Sequence, residues 1–449
     1  MNTVQKGFLS GMMQSFNSIG PMLDVAAVFS VIAAFSGIYL PLVMLLSFML
    51  GYSTIFTLSG LSMRFVSNGG YFAYVGILSG KRAGLFTAII YIVYSLMVVP
   101  DISLFEGGFL SSGLSYGGIS FPLSAVILSF VFALSPILFT MTGIRKGLRY
   151  TVAAGFIEIA FVLTLSTFFL HGGTLTIKPF EITSDRIYYV WTGLVFGILA
   201  FSGSGSSVFI SRNVSSPRKN IPRGIISSYT VSGLIMVISA YSLVIFLGNG
   251  GLLPYETTPY YIGTAIASRF GISALYALIA VVVFSGFNLC TSYLNAFLNA
   301  VETASDSNLF GKRMREKVQR NHYLIAVFAA TVVSITAAEL YTGFFNMFVV
   351  IAGAVSLSYI CVHVVLNFSI VRNTKAMGKK LSAVSIVSSF ALIAALYYSV
   401  DSNLSSDPAT NYIVLAAVAL AASVTLIMHL RPGYFMNVSL RSNDEENSI

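Results

Sequence analysis

Apolar runs of about twenty residues follow one another almost without pause from residue 10 to residue 430. About 20 such residues are what a helix needs to cross the hydrocarbon core of a bilayer. No water is available there, so each crossing must satisfy its backbone polar groups internally, and helices do this within a single segment. Twelve crossings are read, over residues 10–36, 39–65, 83–109, 121–143, 150–171, 189–211, 224–247, 273–303, 322–341, 343–371, 381–400 and 411–430. Only 9% of the chain is charged, against about 25% in soluble domains. The fold class expected is all-α integral membrane.

The net charge of +9 does not predict a nucleic-acid partner, because its distribution follows the loops. With the N-terminus placed in the cytoplasm, 22 of the 25 basic residues fall on the cytoplasmic side. Lys178, Arg186 and Arg269 alone fall outside. That asymmetry is the positive-inside rule, and it predicts a multi-pass cell-membrane protein with both termini cytoplasmic. Residues 1–17 lead directly into the first span, so no cleavable signal peptide is expected. Cys290 and Cys361 lie in apolar runs and read as small core residues.

Two spans are not expected to be continuous helices. Residues 193–222 begin as an apolar helix and end as a basic loop closed by Pro222. Between these parts come Phe201, Ser202, Gly203, Ser204, Gly205, Ser206 and Ser207. Each glycine costs a helix interior about 1 kcal/mol relative to alanine, and serine offers the backbone competing hydrogen bonds. The helix is expected to come apart there. Unwound backbone at membrane depth is tolerated only where it is buried in protein or lines a cavity, so this stretch is a candidate binding site. The first span carries Ser18, Ile19, Gly20, Pro21, Met22, Leu23 and Asp24. Pro21 removes a helix hydrogen bond and clashes with the preceding turn, which predicts a break near Gly20. Asp24 costs about 3 kcal/mol at that depth. It either caps the resumed helix or faces inward as partner to a cationic group or a proton.

Other polar residues are weighed in the same way. Asp101 and Glu106 read as a solvated rim at the outer end of the third span. Glu158 stands alone in the fifth span, with no Lys or Arg there to neutralise it. It is read as a proton-binding group or as a permanently neutral, hydrogen-bonded one. Asn288, Thr291, Ser292, Asn295 and Asn299 recur at helical spacing in the eighth span, on a face for interhelical hydrogen bonds or ligand contact. His363 reads as a packing or headgroup residue. After the Gly69-Gly70 pair, the aromatic segment ending at Tyr74 reads as a re-entrant or surface piece. Residues 248–270 read as a long outer loop with a short helix after Pro259. The last two spans contribute no site candidate.

The two interrupted spans lie five crossings apart, an odd number, so a second copy of the first half would be inverted in the membrane. Paired interruptions of this kind point to an inverted-repeat transporter with its site near the midplane. There, freed N–H groups suit a carboxylate and freed carbonyls an ammonium. An amino acid carries both. At these residues the chain resembles the amino acid–polyamine–organocation (APC) superfamily of permeases. Ala200-Phe201-Ser202-Gly203, followed by the run from Ser216 through Pro217, Arg218, Ile221 and Pro222 to Gly224, is similar to that family's sixth-span pattern. Ser67-Asn68-Gly69-Gly70-Tyr71-Phe72-Ala73-Tyr74 is similar to its conserved aromatic pattern after the second span. Departures are Gly20-Pro21-Met22 in place of the usual G-(S/T)-G, Ser204 and Gly205 in place of aromatic or acidic residues, and Arg212-Asn213 where an acidic pair is common.

The resemblance implies a leucine-transporter-type fold, with a 5+5 inverted repeat and two C-terminal helices. The transport core would be residues 1–372, its halves 10–171 and 189–372, followed by 373–449. A bundle of spans 1, 2, 6 and 7 would rock against spans 3, 4, 8 and 9. Substrate binding is expected at Ile19, Gly20, Pro21, Met22, Asp24, Phe201, Ser202, Gly203, Ser204 and Gly205, with Phe201 closing over the ligand. Coupling is expected at Glu158 with Thr291 and Ser292, where some members carry a Lys and sodium-coupled relatives bind a cation. The expected function is import of amino acids or related amines coupled to protons. The alternatives are sodium coupling, exchange, or a nutrient receptor without flux. Neither a catalytic cluster nor a channel filter is evident. No enzyme activity, cofactor, metal or nucleic-acid partner is expected, and the partners are a small-molecule substrate, a proton or sodium ion, and the lipid bilayer.

Overall fold

The computed structural model describes residues 7–142, 144–171, 173–182, 187–258, 260–309, 320–406 and 408–430. The expectations for both termini, and for the basic loop residues Lys312, Arg313, Arg315 and Lys317, lie outside the described residues.

The described chain is helical throughout. The first span is in three pieces, α1 (Phe8–Ile19), α2 (Pro21–Ala26) and α3 (Val28–Ser36). It is followed by α4 (Leu40–Ser62), α5 (Gly70–Ser79), α6 (Lys81–Tyr116), α7 (Ser124–Met141) and α8 (Ile144–His171). The sixth span is α9 (Ile187–Leu199) and then a 3-10 stretch, Ser202–Asn213. The second half holds α10 (Pro217–Thr257), α11 (Tyr261–Phe270), α12 (Ile272–Asp306), α13 (Arg320–Ala337) and α14 (Phe344–Arg372). It is closed by α15 (Lys379–Ser406) and α16 (Ala409–Leu430). Among the described residues, eleven segments are long and apolar enough to cross a membrane. One of them, Val28–Ser62, joins the end of the first span to the second. Separating these two crossings gives the twelve read from the sequence.

The repeat is visible in two matching corners. The ten residues of α5 meet the 36-residue α6 through Gly80 at φ 94°, ψ 164°. Five crossings later the ten residues of α11 meet the 35-residue α12 through Gly271 at φ 86°, ψ 167°. A positive φ of this kind is open to glycine at little cost. The same corner, made the same way before the third and eighth spans, marks the 5+5 repeat. The long helices α6 and α12 then pack on each other beside the broken spans, and α15 and α16 cover α4, α6 and α14.

Two loop expectations change. Of the two readings for the segment from Gly70 to Tyr74, the surface one is corrected: the segment is buried, and its helix packs on α6 and α14. Its aromatic rings explain this: Tyr71 packs on Phe209 with centroids 5.5 Å apart. The long outer loop is largely helical, because α10 continues to Thr257 past a kink at Gly248 (φ 58°) before α11 begins.

Candidate functional site

The first span breaks where its sequence predicts. Gly20 adopts φ 66°, ψ 57°, a left-handed conformation that costs other residues energy. A side chain there would also stand 2.6 Å from Leu289 Cδ1. Pro21 then opens α2, where its missing N–H is one of the helix's orphan donors in any case. The next donors have partners from elsewhere in the fold. Met22 N–H donates to Glu158 Oε1 at 3.1 Å, and Leu23 N–H donates to Ser285 Oγ at 3.1 Å. Ser285 in turn donates to the same Glu158 oxygen at 2.5 Å. Glu158 is fully buried, and it holds the position that an anion would take at the start of α2.

The sixth span changes helix type instead of coming apart. The α-ladder ends at Leu199, Phe201 N–H turns back to Ile198 O at 3.1 Å, and the chain runs on with 3-10 geometry to Asn213. Runs of 3-10 helix longer than 3–4 residues are uncommon. Tertiary contact with α1 accompanies this one. A side chain on Gly203 would lie 1.8 Å from the carbonyl oxygen of Ser18, so the two interrupted spans meet backbone to backbone. Ser206 Oγ donates to Gln14 O at 3.1 Å, and Ser207 N–H donates to Ser15 Oγ at 3.3 Å. On the far side Gly205 makes room for the Tyr71 hydroxyl.

Four buried carboxyl groups stand on α2, α6 and α8, each of which packs on α12. Asp24 and Asp101 are each 5% exposed and Glu106 is 1% exposed, so the solvated rim expected for Asp101 and Glu106 is corrected. Glu106 lies on the face of α6 that packs on α12, where it fills the space left by Gly286, and Asp101 is within electrostatic reach of Asp24 and of Cys290 on α12. Asp24 is within electrostatic reach of Glu158 and Asp101. Asp24, Asp101, Glu106 and Glu158 each retain one oxygen without a hydrogen-bond partner. Asp24 is not a cap, since Gly20 occupies that place and no side chain bonds there. Its carboxyl is therefore available to another group. Among the described residues, no three His, Cys, Asp or Glu side chains stand together closely enough to hold a metal ion.

A line of hydroxyls connects the sixth span to the scaffold. Ser202 Oγ lies 3.1 Å from the Tyr293 hydroxyl, which lies 2.5 Å from that of Tyr94. Phe201 packs on Tyr229 and Phe48, with centroids 5.0 and 6.1 Å away. Replacing Tyr293 with Phe leaves two hydroxyls without their shared partner, at about 1–3 kcal/mol for each group that stays unsatisfied. The expected result is a lower thermal midpoint of the purified protein; a midpoint equal to the parent's would show that this line carries no stability.

Of the expected substrate residues, Ile19 to Asp24 follow directly on Ser18, whose carbonyl meets Gly203 in the stretch from Phe201 to Gly205. Thr291 and Ser292 are not the partners of Glu158. That contact comes from Ser285, six residues earlier on α12 and about 9 Å away along its axis. Ser292 instead offers its carbonyl to Gln14 Nε2 at 2.9 Å. The polar stripe of α12 is buried from Asn288 to Asn299, and Asn288 accepts from the Tyr150 hydroxyl. Sequence reasoning missed Gln14, Ser285 and Tyr293. It also left His363 as a packing or headgroup residue. The structure buries that ring completely, 4.4 Å from Tyr359 and 5.0 Å from Tyr71. Gln14 was the one with a signal, as an uncharged polar residue inside an apolar helix.

The chain superposes on a mutant of the manganese transporter of Eremococcus coleocola with a TM-score of 0.59, over 96% of this chain and 95% of that one, at 15% identity. The fold is similar to that of this transporter. With its two interrupted spans and matched corners, it is the leucine-transporter-type fold. An uncharacterized protein of Methanocaldococcus jannaschii is 26% identical over 238 residues, 51% of this chain and 52% of that protein. The match thus spans about half the length of that relative. No family model matches the chain.

Proposed function

We propose that the chain is a secondary transporter of the cell membrane, related to the APC permeases, that imports amino acids or related amines by alternating access and couples uptake to protons. The observation that carries this reading is the Glu158 carboxylate on the Met22 N–H that opens α2, four residues past Ser18, whose carbonyl meets Gly203. A substrate carboxylate and Glu158 compete for the Met22 N–H. Protonation of Glu158 weakens its hold, since hydrogen bonds to charged acceptors are about twice as strong as neutral ones. The freed Met22 N–H then takes the substrate carboxylate, and proton and substrate enter together. Asp24 supplies the counter-charge for the substrate ammonium, supported by its buried, unpartnered oxygen. Residues 1–372 form the transport core in this reading, in which spans 1, 2, 6 and 7 rock against spans 3, 4, 8 and 9, with Phe201 closing the site.

Uptake of labelled amino acids and diamines into proteoliposomes, with and without an inward proton gradient, tests the proposal. No gradient-driven uptake of any amine-bearing solute would reject it. Asp24→Asn is expected to lower apparent affinity for such solutes by about tenfold or more, since a buried hydrogen bond to a charged group contributes about 1.5–3 kcal/mol. Unchanged affinity would remove Asp24 from the site. Manganese is the second reading, favoured by what the structural neighbour transports. Manganese uptake in the same vesicles, with no amine uptake, would select it.

A further inference from the structure

At one membrane face a groove of about 650 Å³ opens between the end of α4 and the start of α15. Its mouth is basic. Arg64, Lys379 and Lys380 line it, and among the described residues no acidic side chain does. Arg64 is held in place by donating to the Met377 carbonyl at 3.0 Å. The positive end of the 28-residue α15 begins at Lys379, which adds to the attraction for an anion. Below the mouth the wall becomes apolar, with Phe56 49% and Met63 52% exposed. At the floor the two helices cross closely, because a side chain on Gly60 would stand 2.7 Å from Leu381 Cδ1.

A cationic mouth continuous with an exposed apolar wall matches an amphiphile with a negative head and hydrocarbon tails. Basic pockets between membrane helices take phospholipid headgroups for this reason. We infer that the groove holds an anionic phospholipid of the surrounding bilayer. Its phosphate sits among Arg64, Lys379 and Lys380, and an acyl chain lies along Phe56 and Met63. The lipid ties α4, which borders the candidate site through Leu58, to the added helix α15. This inference is independent of what the protein transports.

The test uses the full chain in a neutral detergent, titrated with phosphatidylglycerol or with phosphatidylcholine of the same acyl chains, and native mass spectrometry to count retained lipid. Each basic residue near the surface is expected to favour the anionic lipid about fivefold. The double variant Lys379→Gln/Lys380→Gln should therefore lose about 25-fold in affinity for phosphatidylglycerol and leave phosphatidylcholine unchanged. Phe56→Ser, at an exposed position, should weaken both lipids, and it keeps the test open if the lysine pair is needed for folding. Glycerol 3-phosphate, which has the head chemistry without tails, should not displace the lipid at equal concentration. Equal retention of the two lipids, or retention of phosphatidylglycerol by the double variant or by Phe56→Ser, overturns the inference. Displacement by glycerol 3-phosphate overturns it as well, and would leave a phosphate site only.

Discussion

Glu158→Gln is expected to abolish uphill uptake while leaving substrate binding intact. The glutamine oxygen still accepts from Met22 N–H and from Ser285, so the geometry at the start of α2 survives. The side chain can no longer carry a proton, and it stays in the weaker, neutral state throughout the cycle. Binding should become independent of pH. At alkaline pH it should tighten about fivefold or more relative to the parent, because the competing carboxylate is gone and a charged hydrogen bond exceeds a neutral one by about 1 kcal/mol. Gradient-driven accumulation should fall to simple equilibration. The sign is fixed by the competition: in the parent, acidification on the substrate side protonates Glu158 and promotes binding, and alkalinisation opposes it. Proteoliposome uptake against pH, beside scintillation binding, measures both quantities. Parent-like pH dependence in the variant would remove Glu158 from coupling. Glu158→Leu is the harsher control. It strips the acceptor from two buried donors, at about 1–3 kcal/mol each, and should lower stability as well as transport.

The second large effect is structural. Gly203→Ala should prevent the two interrupted spans from meeting, because the added carbon would lie 1.8 Å from Ser18 O and 2.2 Å from Ser18 C. Both atoms are backbone, so no rotamer change relieves the clash. Overpacking in a core costs about 1–3 kcal/mol and occasionally more, and a backbone clash belongs at the upper end of that range. The expected outcome is a large fall in thermal midpoint and loss of monodisperse protein after solubilisation. Gly250→Ala is the matched control: nothing lies within 4 Å of the added carbon, and that variant should behave as the parent. A Gly203→Ala protein as stable as the Gly250→Ala protein would show that α1 and the 3-10 stretch do not need to touch.

The positions of the breaks were legible because their cause is local. Pro21 lacks a donor, Gly20 accepts a left-handed backbone, and the alternation of serine and glycine after Phe201 weakens any α-helix. The helical class was legible for the same reason, since an apolar run of sufficient length has few ways to satisfy its peptide groups in lipid. The sequence also placed the cost of Glu158 and Asp24 in the membrane, since that depends on depth along a helix and not on neighbours.

What each of those groups touches was decided in three dimensions. The donors to Glu158 come from Met22 and Ser285, 136 and 127 residues away in the chain, and no spacing rule joins them. Thr291 and Ser292 lie about two turns further along the same helix, and the level at which α8 packs on α12 brings Ser285, not them, to Glu158. Asp101 and Glu106 looked solvated because they lie near the end of an apolar run; α6 extends to Tyr116 and packs on α12, which puts them inside. The sixth span kept a helical path because contact with α1 stabilises a tight 3-10 coil that local propensity alone does not favour. Local chemistry determined where the chain fails as a regular helix, whereas close packing among distant segments determined which groups fill the gaps that failure leaves.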